Sequence, residues 1–231
     1  MENRKYNLLK AIVEEYVASA EPVGSSLIAE KYFKDLSSAT IRNDMAELEE
    51  EDLIYQPHPS AGRVPTHRGY KYYLENFVHQ GKISGKSKRE LDKASKDLTP
   101  DRESVKSLAK SLAEISHGAV LIGFSPSDAY YTGIANIFRQ PEFAEQNLVY
   151  SISEMIDRLD EVMSEIFSRI GDRPQILIGD NNPFGNTASV VLVKYHSGDN
   201  VGLIGILGPS RMDYQGNLGL IEYAQSILSD L

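Results

Sequence analysis

Leu36-Ser-Ser-Ala-Thr-Ile-Arg-Asn-Asp-Met-Ala-Glu-Leu-Glu49, closely followed by Leu53-Ile-Tyr-Gln-Pro-His-Pro-Ser-Ala-Gly-Arg-Val-Pro-Thr66, decides the fold of the first third of the chain. In the first segment Ile41, Met45 and Leu48 recur at spacings of four and three, the period of one buried helix face, with Ser37 or Ser38 as N-cap. That stripe leaves Ser38, Thr40, Arg42, Asn43 and Glu47 on the other faces. The second segment has β-favouring residues at each end of a Pro/Ser/Gly centre, the pattern of a hairpin with its tip near Ser60-Ala61-Gly62.

Working outward, residues 4–20 place Leu8, Leu9, Ile12, Val13, Tyr16 and Val17 on one helix face. Glu21-Pro22-Val23-Gly24-Ser25 ends that helix, because proline disfavours helical geometry in the residue before it. Ser25 or Ser26 can cap a short second helix through about Tyr32, with Leu27 and Ile28 turned inward, and Lys34-Asp35-Leu36-Ser37 reads as a turn. Two short helices joined by a tight turn make a helix-turn-helix, and the hairpin after them makes it winged. A further helix, His67–Gln80, carries Tyr70, Tyr73, Leu74 and Phe77 on one side.

In such a module the N-terminal half of the second helix of the pair faces the major groove. Ser38, Thr40, Arg42 and Asn43 suit that position: Arg pairs with guanine at two points, Asn with adenine at two points, and hydroxyls bond base edges or phosphate. Each good two-point contact discriminates by about 1–3 kcal/mol. Glu47, Glu49, Glu50, Glu51 and Asp52 lie towards the other end, where they can point away from a groove. From Leu53 to Leu74 there is no acid, while His58, Arg63, His67, Arg68 and Lys71 fall inside that window. An acid-free basic stretch is what a phosphate-contacting element needs. His58, Ser60 and Arg63 are the wing candidates, Arg63 at the wing tip for a phosphate or the minor groove, and Arg68 and Lys71 would hold the sugar-phosphate backbone. The plain alternatives are an ordinary surface helix, with Arg42 paired to Glu47 or Asp44, and a winged helix that binds protein only.

The 231 residues are 41% apolar and 25% charged, enough for about two domains at roughly 100–150 residues each. The net charge of −9 is unevenly spread: residues 1–80 carry 9 Lys+Arg against 13 Asp+Glu, residues 81–110 carry 9 against 5, and residues 111–231 carry 6 against 15. With no cysteine there is no disulfide framework, thiolate metal site or cysteine nucleophile. Apolar runs such as Ala119–Phe124 and Val190–Val193 fall far short of the ~18–20 residues of a membrane span. Met1-Glu-Asn-Arg-Lys-Tyr6 lacks the apolar segment of a secretory signal, so a soluble, cytoplasmic protein is expected. Enzymatic signals are absent: the five histidines have no ligand spacing, and no serine sits in a Gly-x-Ser-x-Gly setting. The glycines of Gly202-Leu-Ile-Gly205-Ile-Leu-Gly208 are interleaved with strand formers, Asp180-Asn181-Asn182-Pro183 is a turn, and Arg211 with Asp213 reads as a helix cap plus a salt bridge. No enzyme, cofactor or metal is expected.

Gly81–Gly85 has the composition of a hinge, and Lys86–Asp97 is a charged helix. Thr99-Pro100-Asp101 opens another, with Thr99 as the capping hydroxyl and Val105, Leu108, Leu112 and Ile115 forming a stripe for a core or a dimer seam. The last block alternates strand Ala119–Phe124, long helix Leu148–Ile170, strand Gln175–Gly179, a hairpin of Ala188–His196 and Val201–Gly208 turning at Ser197-Gly198-Asp199-Asn200, and a helix from about Asp213. The expected class is α+β, with a winged-helix domain at 1–80, charged linker helices at 81–117 and a mixed sensor-like or dimerisation domain at 118–231.

Pro22-Val-Gly-Ser25, Leu36 to Glu49, Gln56-Pro-His-Pro-Ser-Ala-Gly-Arg-Val-Pro-Thr66 and Gly69-Tyr-Lys-Tyr-Tyr73 closely resemble the HrcA family of heat-inducible transcription repressors. Gln140-Pro-Glu-Phe143 and Gly205-Ile-Leu-Gly-Pro-Ser-Arg-Met-Asp-Tyr214 resemble that family's C-terminal segments. The resemblance implies a homodimer on an inverted-repeat operator upstream of chaperone operons, released under heat stress, with control by the GroE-type chaperonin. It also implies a GAF-like second domain interrupted by an inserted dimerisation domain. Family members are usually about half as long again, and the missing part falls between roughly Ile115 and Gln140, where only His117–Arg139 stands. The middle of the GAF-like domain is thus expected to be truncated, which leaves the dimer interface and chaperonin control open. A winged-helix regulator governed by a small molecule, and an interaction module without DNA, stay open as other readings.

Overall fold

α1 (Glu2–Ser19) turns Leu8, Leu9, Ile12 and Val13 into a core, as their spacing predicts. The computed structural model describes residues 2–141, 146–198 and 200–231, and the chain divides into two units, Met1–His79 and Gln80–Leu231. In the first unit α1 is followed by α2 (Ser25–Lys31), α3 (Ser38–Glu50), β1 (Ile54–Tyr55), β2 (Val64–Pro65) and α4 (His67–Phe77). Ile41, Met45 and Leu48 of α3 meet Ile28 of α2 and the α1 stripe in one core, closed by Leu53, Ile54, Val64 and Tyr70.

Local chemistry sets the boundaries. Ser37 caps α3, its Oγ accepting from the Thr40 N–H at 3.1 Å. Contrary to expectation, α2 has no hydroxyl cap: extended Gly24 precedes it, and Ser25 is its buried first residue. The reason lies one step upstream, where Val23 is bridged to Arg63, so a backbone pairing fixes the helix start. Leu27 is also not inward; it is 44% exposed, because the helical period puts Ser25, Ile28 and Ala29 on one face and Leu27 beside it. The hairpin pairs Ile54 with Pro65 and Tyr55 with Val64. Thr66 then starts α4, its Oγ accepting from Gly69 N–H at 3.0 Å while donating to Asp52 C=O at 2.6 Å. The helix stops at Phe77, short of Gln80, because Val78 leaves helical geometry.

The second unit holds α5 (Gly85–Ser95), α6 (Arg102–Ser116), β3 (Ala119–Ser125), β4 (Asp128–Thr132), α7 (Ile134–Phe138), α8 (Gln146–Asp157), α9 (Leu159–Phe167), β5 (Gln175–Ile178), β6 (Ala188–Ser197), β7 (Asn200–Pro209) and α10 (Tyr214–Ser229). Its sheet runs β4-β3-β7-β6-β5, with every neighbouring pair antiparallel. Strand alternation gives it two apolar faces. Leu121, Val190, Leu192, Leu203 and Leu207 join Ile137, Ile152, Met163 and Ile166 of α7, α8 and α9 in one cluster. The alternate residues Val120, Ile122, Val191, Val193, Ile204 and Ile206 are equally buried, and α6 and α10 pack on the sheet. A winged helix plus a sheet-containing mixed domain is the α+β class expected.

Several details differ from the sequence reading. Gly81 is no free hinge: it lies so close to α10 that an added Cβ would sit 2.3 Å from the Gly219 nitrogen, and Lys82 N–H donates to Gln215 C=O at 2.9 Å. Residues 81–117 belong to the second unit, where α5 packs on α6. Asp101 rather than Thr99 caps α6, accepting from Ser104 N–H at 2.9 Å. The long helix is two, broken at Arg158, which leaves helical geometry while both halves feed the same cluster. Within His117–Arg139, β3 stands where a strand is expected at Ala119–Phe124, and β4 and α7 follow it without a counterpart in the sequence reading. As expected of a strand, the glycines at 202, 205 and 208 lie along β7, paired to β6 on one side, with 205 also paired to β3 on the other. Asp213 caps α10 through Gly216 N–H as expected, while Arg211 donates to Gln140. Asp199 of the expected turn, and Glu142 and Phe143 of the Gln140–Phe143 segment, lie outside the described residues. Among the described residues no helix is long and apolar enough to cross a membrane.

Candidate nucleic-acid interface

The exposed face of α3 depends on where its acids go. Asp44, the buried acid of the helix, accepts two bonds from the Arg4 guanidinium, at 3.0 Å from Nε and 2.8 Å from Nη2. Lys5 lies 3.8 Å from Glu47 and pairs more closely with Glu51, whose hydrogen bond holds the ammonium pKa above the usual lysine value. Glu49 is bound by Arg63 at 3.0 Å. Cations from α1 and the wing therefore occupy three acids of α3. Arg42 is exposed and, among the described residues, forms no ion pair; the partners that would claim it, Asp44 and Glu47, are engaged by Arg4 and Lys5. Asn43 beside it is exposed too.

The wing is held from inside. Gln56 donates from Nε2 to the Pro59 and Ala61 carbonyls at 3.0 and 2.9 Å, and Ala61 N–H donates to the His58 carbonyl at 2.9 Å. This curls the loop and leaves His58, Pro59 and Ser60 exposed at its tip. A cleft of about 510 Å³ separates wing from helices, lined among others by Ser25, Ser26, Arg42, Gln56, Ser60 and Arg63.

Of the predicted residues, the structure thus brings Arg42, Ser60 and Arg63 around one cleft. Ser38 and Thr40 are half-buried in the first turn of α3, and Thr40 Oγ1 is 2.9 Å from Ser37 Oγ, so its hydroxyl is shared with the cap. His58 stands at the wing tip. Arg68 and Lys71 are exposed one turn apart at the start of α4, without an ion pair among the described residues, and neither lines the cleft. Arg63 is not at the wing tip. It sits at the wing base with its side chain 16% exposed against Glu49, because its backbone pairs with Val23. Sequence reasoning missed Ser25, Ser26 and Gln56 as cleft residues; the Pro22–Ser25 and Gln56–Thr66 motifs contained them without indicating that they would face each other.

A helix-turn-helix with a paired wing, joined to a sheet domain, defines a winged-helix transcription regulator. A model described as the winged helix-turn-helix transcription repressor, HrcA DNA-binding, matches residues 1–76, and one described as the HrcA protein C terminal domain matches residues 73–217. The chain belongs to the HrcA family. The heat-inducible transcription repressor HrcA of Carboxydothermus hydrogenoformans is 26% identical, over 100% of this chain and 98% of the relative. That comparison runs over 335 residues against the 231 here, so a substantial block of the relative has no counterpart. The repressor of the same name from Pelotomaculum thermopropionicum is 52% identical over 84 residues, 36% of this chain and 24% of its own length. A crystal structure described only as that of a hypothetical protein matches with a TM-score of 0.76 at 21% identity, covering 98% of this chain and 97% of that one, a likeness of fold. Membership of a repressor family points to a role other than catalysis.

Proposed function

We propose that this chain is a repressor of heat-inducible genes that grips an inverted-repeat operator as a homodimer. α3 lies in the major groove with Ser38, Thr40, Arg42 and Asn43 towards base edges, the wing sets His58 and Ser60 against the backbone, and Arg68 and Lys71 hold phosphates. The observation that carries this reading is the unpaired, exposed Arg42 on a helix whose Asp44, Glu47 and Glu49 are each engaged by a cation from elsewhere. A protein with net charge −9 meets a polyanion only through a face from which acids have been withdrawn in this way. Release follows loss of the DNA-competent dimer on heating, with a GroE-type chaperonin as the folding partner and the cytoplasm as the compartment. Sedimentation of the full chain with and without an inverted-repeat duplex tests the proposal. A dimer that takes one duplex, with affinity falling steeply with salt, is the expected result. No duplex binding at low salt would reject it and leave the interaction-module reading standing.

A second reading, control by a small effector, is favoured by one feature. A groove of about 690 Å³ in the second unit runs between α8–α9 and residues 183–187, with Met155, Val162 and Phe184 in its floor and Glu154 and Asp157 at its rim. A compound that raises the melting temperature and lowers operator affinity would support it.

A further inference from the structure

Arg63 Nε and Nη2 each lie 3.0 Å from Glu49 Oε2, and the two side chains are 16% and 38% exposed. The backbone of Arg63 exchanges two further bonds with Val23, N–H to C=O at 2.9 Å in each direction. Gly62 is pressed onto the same connector, where an added Cβ would stand 2.4 Å from the Val23 carbonyl carbon. One residue therefore ties the C-terminal half of α3, the connector between α1 and α2, and the base of the wing. We infer that Arg63 is a positioning residue, which sets the wing against α3 through Glu49 and does not itself contact DNA; this rests on the DNA-binding reading above.

The alternative requires Arg63 to swing out to a phosphate. That would break a charge-assisted hydrogen bond from Nε, with Nη2 beside the same oxygen, and leave the Glu49 carboxylate uncompensated beside a polyanion. The remainder of the wing shows what the clamp is for. From Gln56 to Gly62 there is no lysine or arginine, so the wing's use to DNA lies in the placement of its tip and its backbone N–H groups. An element that contributes by placement needs a fixed base, and Glu49 lies on the very helix against which that placement is measured.

The two roles predict opposite signs. Operator affinity is measured for the full chain, at one fixed pH and over a salt series, with Glu49→Gln, Glu49→Ala, Arg63→Ala, Arg63→Lys and the double alanine variant. Positioning predicts that Glu49→Gln weakens binding by about tenfold although it removes a negative charge, and that Arg63→Lys, which keeps charge but loses the Nε donor, weakens it as well. It also predicts that Arg63→Ala adds little to Glu49→Ala and leaves the salt slope unchanged. A direct contact predicts tighter binding for both Glu49 variants and a slope reduced by about 0.9 for Arg63→Ala, and that outcome overturns the inference. Amide exchange in the free protein supplies a check without DNA: Glu49→Gln should speed exchange at the Arg63 and Val23 N–H groups while α1 stays protected. Unchanged exchange there overturns the clamp even if DNA binding holds. Faster exchange in a chain that binds no duplex keeps the clamp and rejects the repressor reading instead.

Discussion

Arg4 and Asp44 lie 40 residues apart in sequence and meet as a two-point pair, with Nε and Nη2 of the guanidinium on separate carboxylate oxygens. The Asp44 side chain is 9% exposed and stands in the same helix as Arg42. Arg4→Ala strips that carboxylate of its partner, which costs about 1–3 kcal/mol for a buried charged acceptor, with the low end expected because Arg4 is itself 39% exposed. It also returns a negative charge to α3. A lowered melting temperature together with weaker operator binding is the expected result. Asp44→Asn in the same background should recover binding more than stability.

The proposed base-reading and backbone-holding residues separate by their signatures. Arg42→Ala and Asn43→Ala should each cost about 1–3 kcal/mol on the cognate operator and little on unrelated duplex, so the preference collapses. Arg68→Ala and Lys71→Ala should weaken both duplexes alike and lower the salt slope by about 0.9 apiece. Gel shifts on cognate and scrambled operators, repeated at several salt concentrations, distinguish the two pairs. Equal losses from all four variants on both duplexes would place α3 outside the groove.

Glu15 is buried in α1, where the Lys31 ammonium and then the Tyr32 hydroxyl bond its carboxylate and hold its pKa below the ordinary 4.5. A carboxyl whose folded pKa lies under its unfolded value stabilises the fold fully above the unfolded value. That contribution disappears as pH falls through the folded one. Thermal melts from neutral pH towards about pH 3 should therefore show the wild type losing stability faster below 4.5 than Glu15→Gln. At neutral pH the variant should be less stable by about 1 kcal/mol, since Lys31 is more than half exposed. Parallel acid limbs would exclude the network.

What could be read from the chain follows from which forces act locally. The stripe Ile41, Met45 and Leu48, the apolar runs Ala188–His196 and Val201–Gly208 on either side of a turn-rich tetrad, and the turn chemistry around Ser60–Gly62 are periodic or steric signals within a few residues, and the corresponding elements stand where the pattern puts them. β4 went unread because Asp128-Ala-Tyr-Tyr-Thr132 is a half-exposed edge strand without polar–apolar alternation. The break at Arg158 carries no proline or glycine to mark it. At the interface the residue types on α3 were legible. The partners of its acids were not, because Arg4, Lys5 and Arg63 reach them through the tertiary fold. Its place beside Gly62 puts Arg63 at the wing tip on sequence alone, and only the Val23 pairing shows that it belongs to the base.

The family-like segment Gly205–Tyr214 ends on a residue whose role the second unit makes plain. Tyr214 opens α10 fully buried, and its hydroxyl donates to Ser189 Oγ of β6 at 3.0 Å and also meets the Ser210 carbonyl. The phenol thus joins the start of α10 to the sheet and to the turn before it, in a site without water access. Tyr214→Phe keeps the ring and removes the donor, leaving the buried Ser189 hydroxyl and the half-buried Ser210 carbonyl without it, at about 1–3 kcal/mol. Ser189→Ala removes the hydroxyl partner alone and should cost less, because the Ser210 carbonyl still receives the phenol. Melting of the full chain should then show its larger loss in Tyr214→Phe, with operator preference intact at temperatures where the fold persists. A Ser189→Ala loss as large as that of Tyr214→Phe would mean that the bond to β6 carries the whole contribution, and the turn carbonyl none.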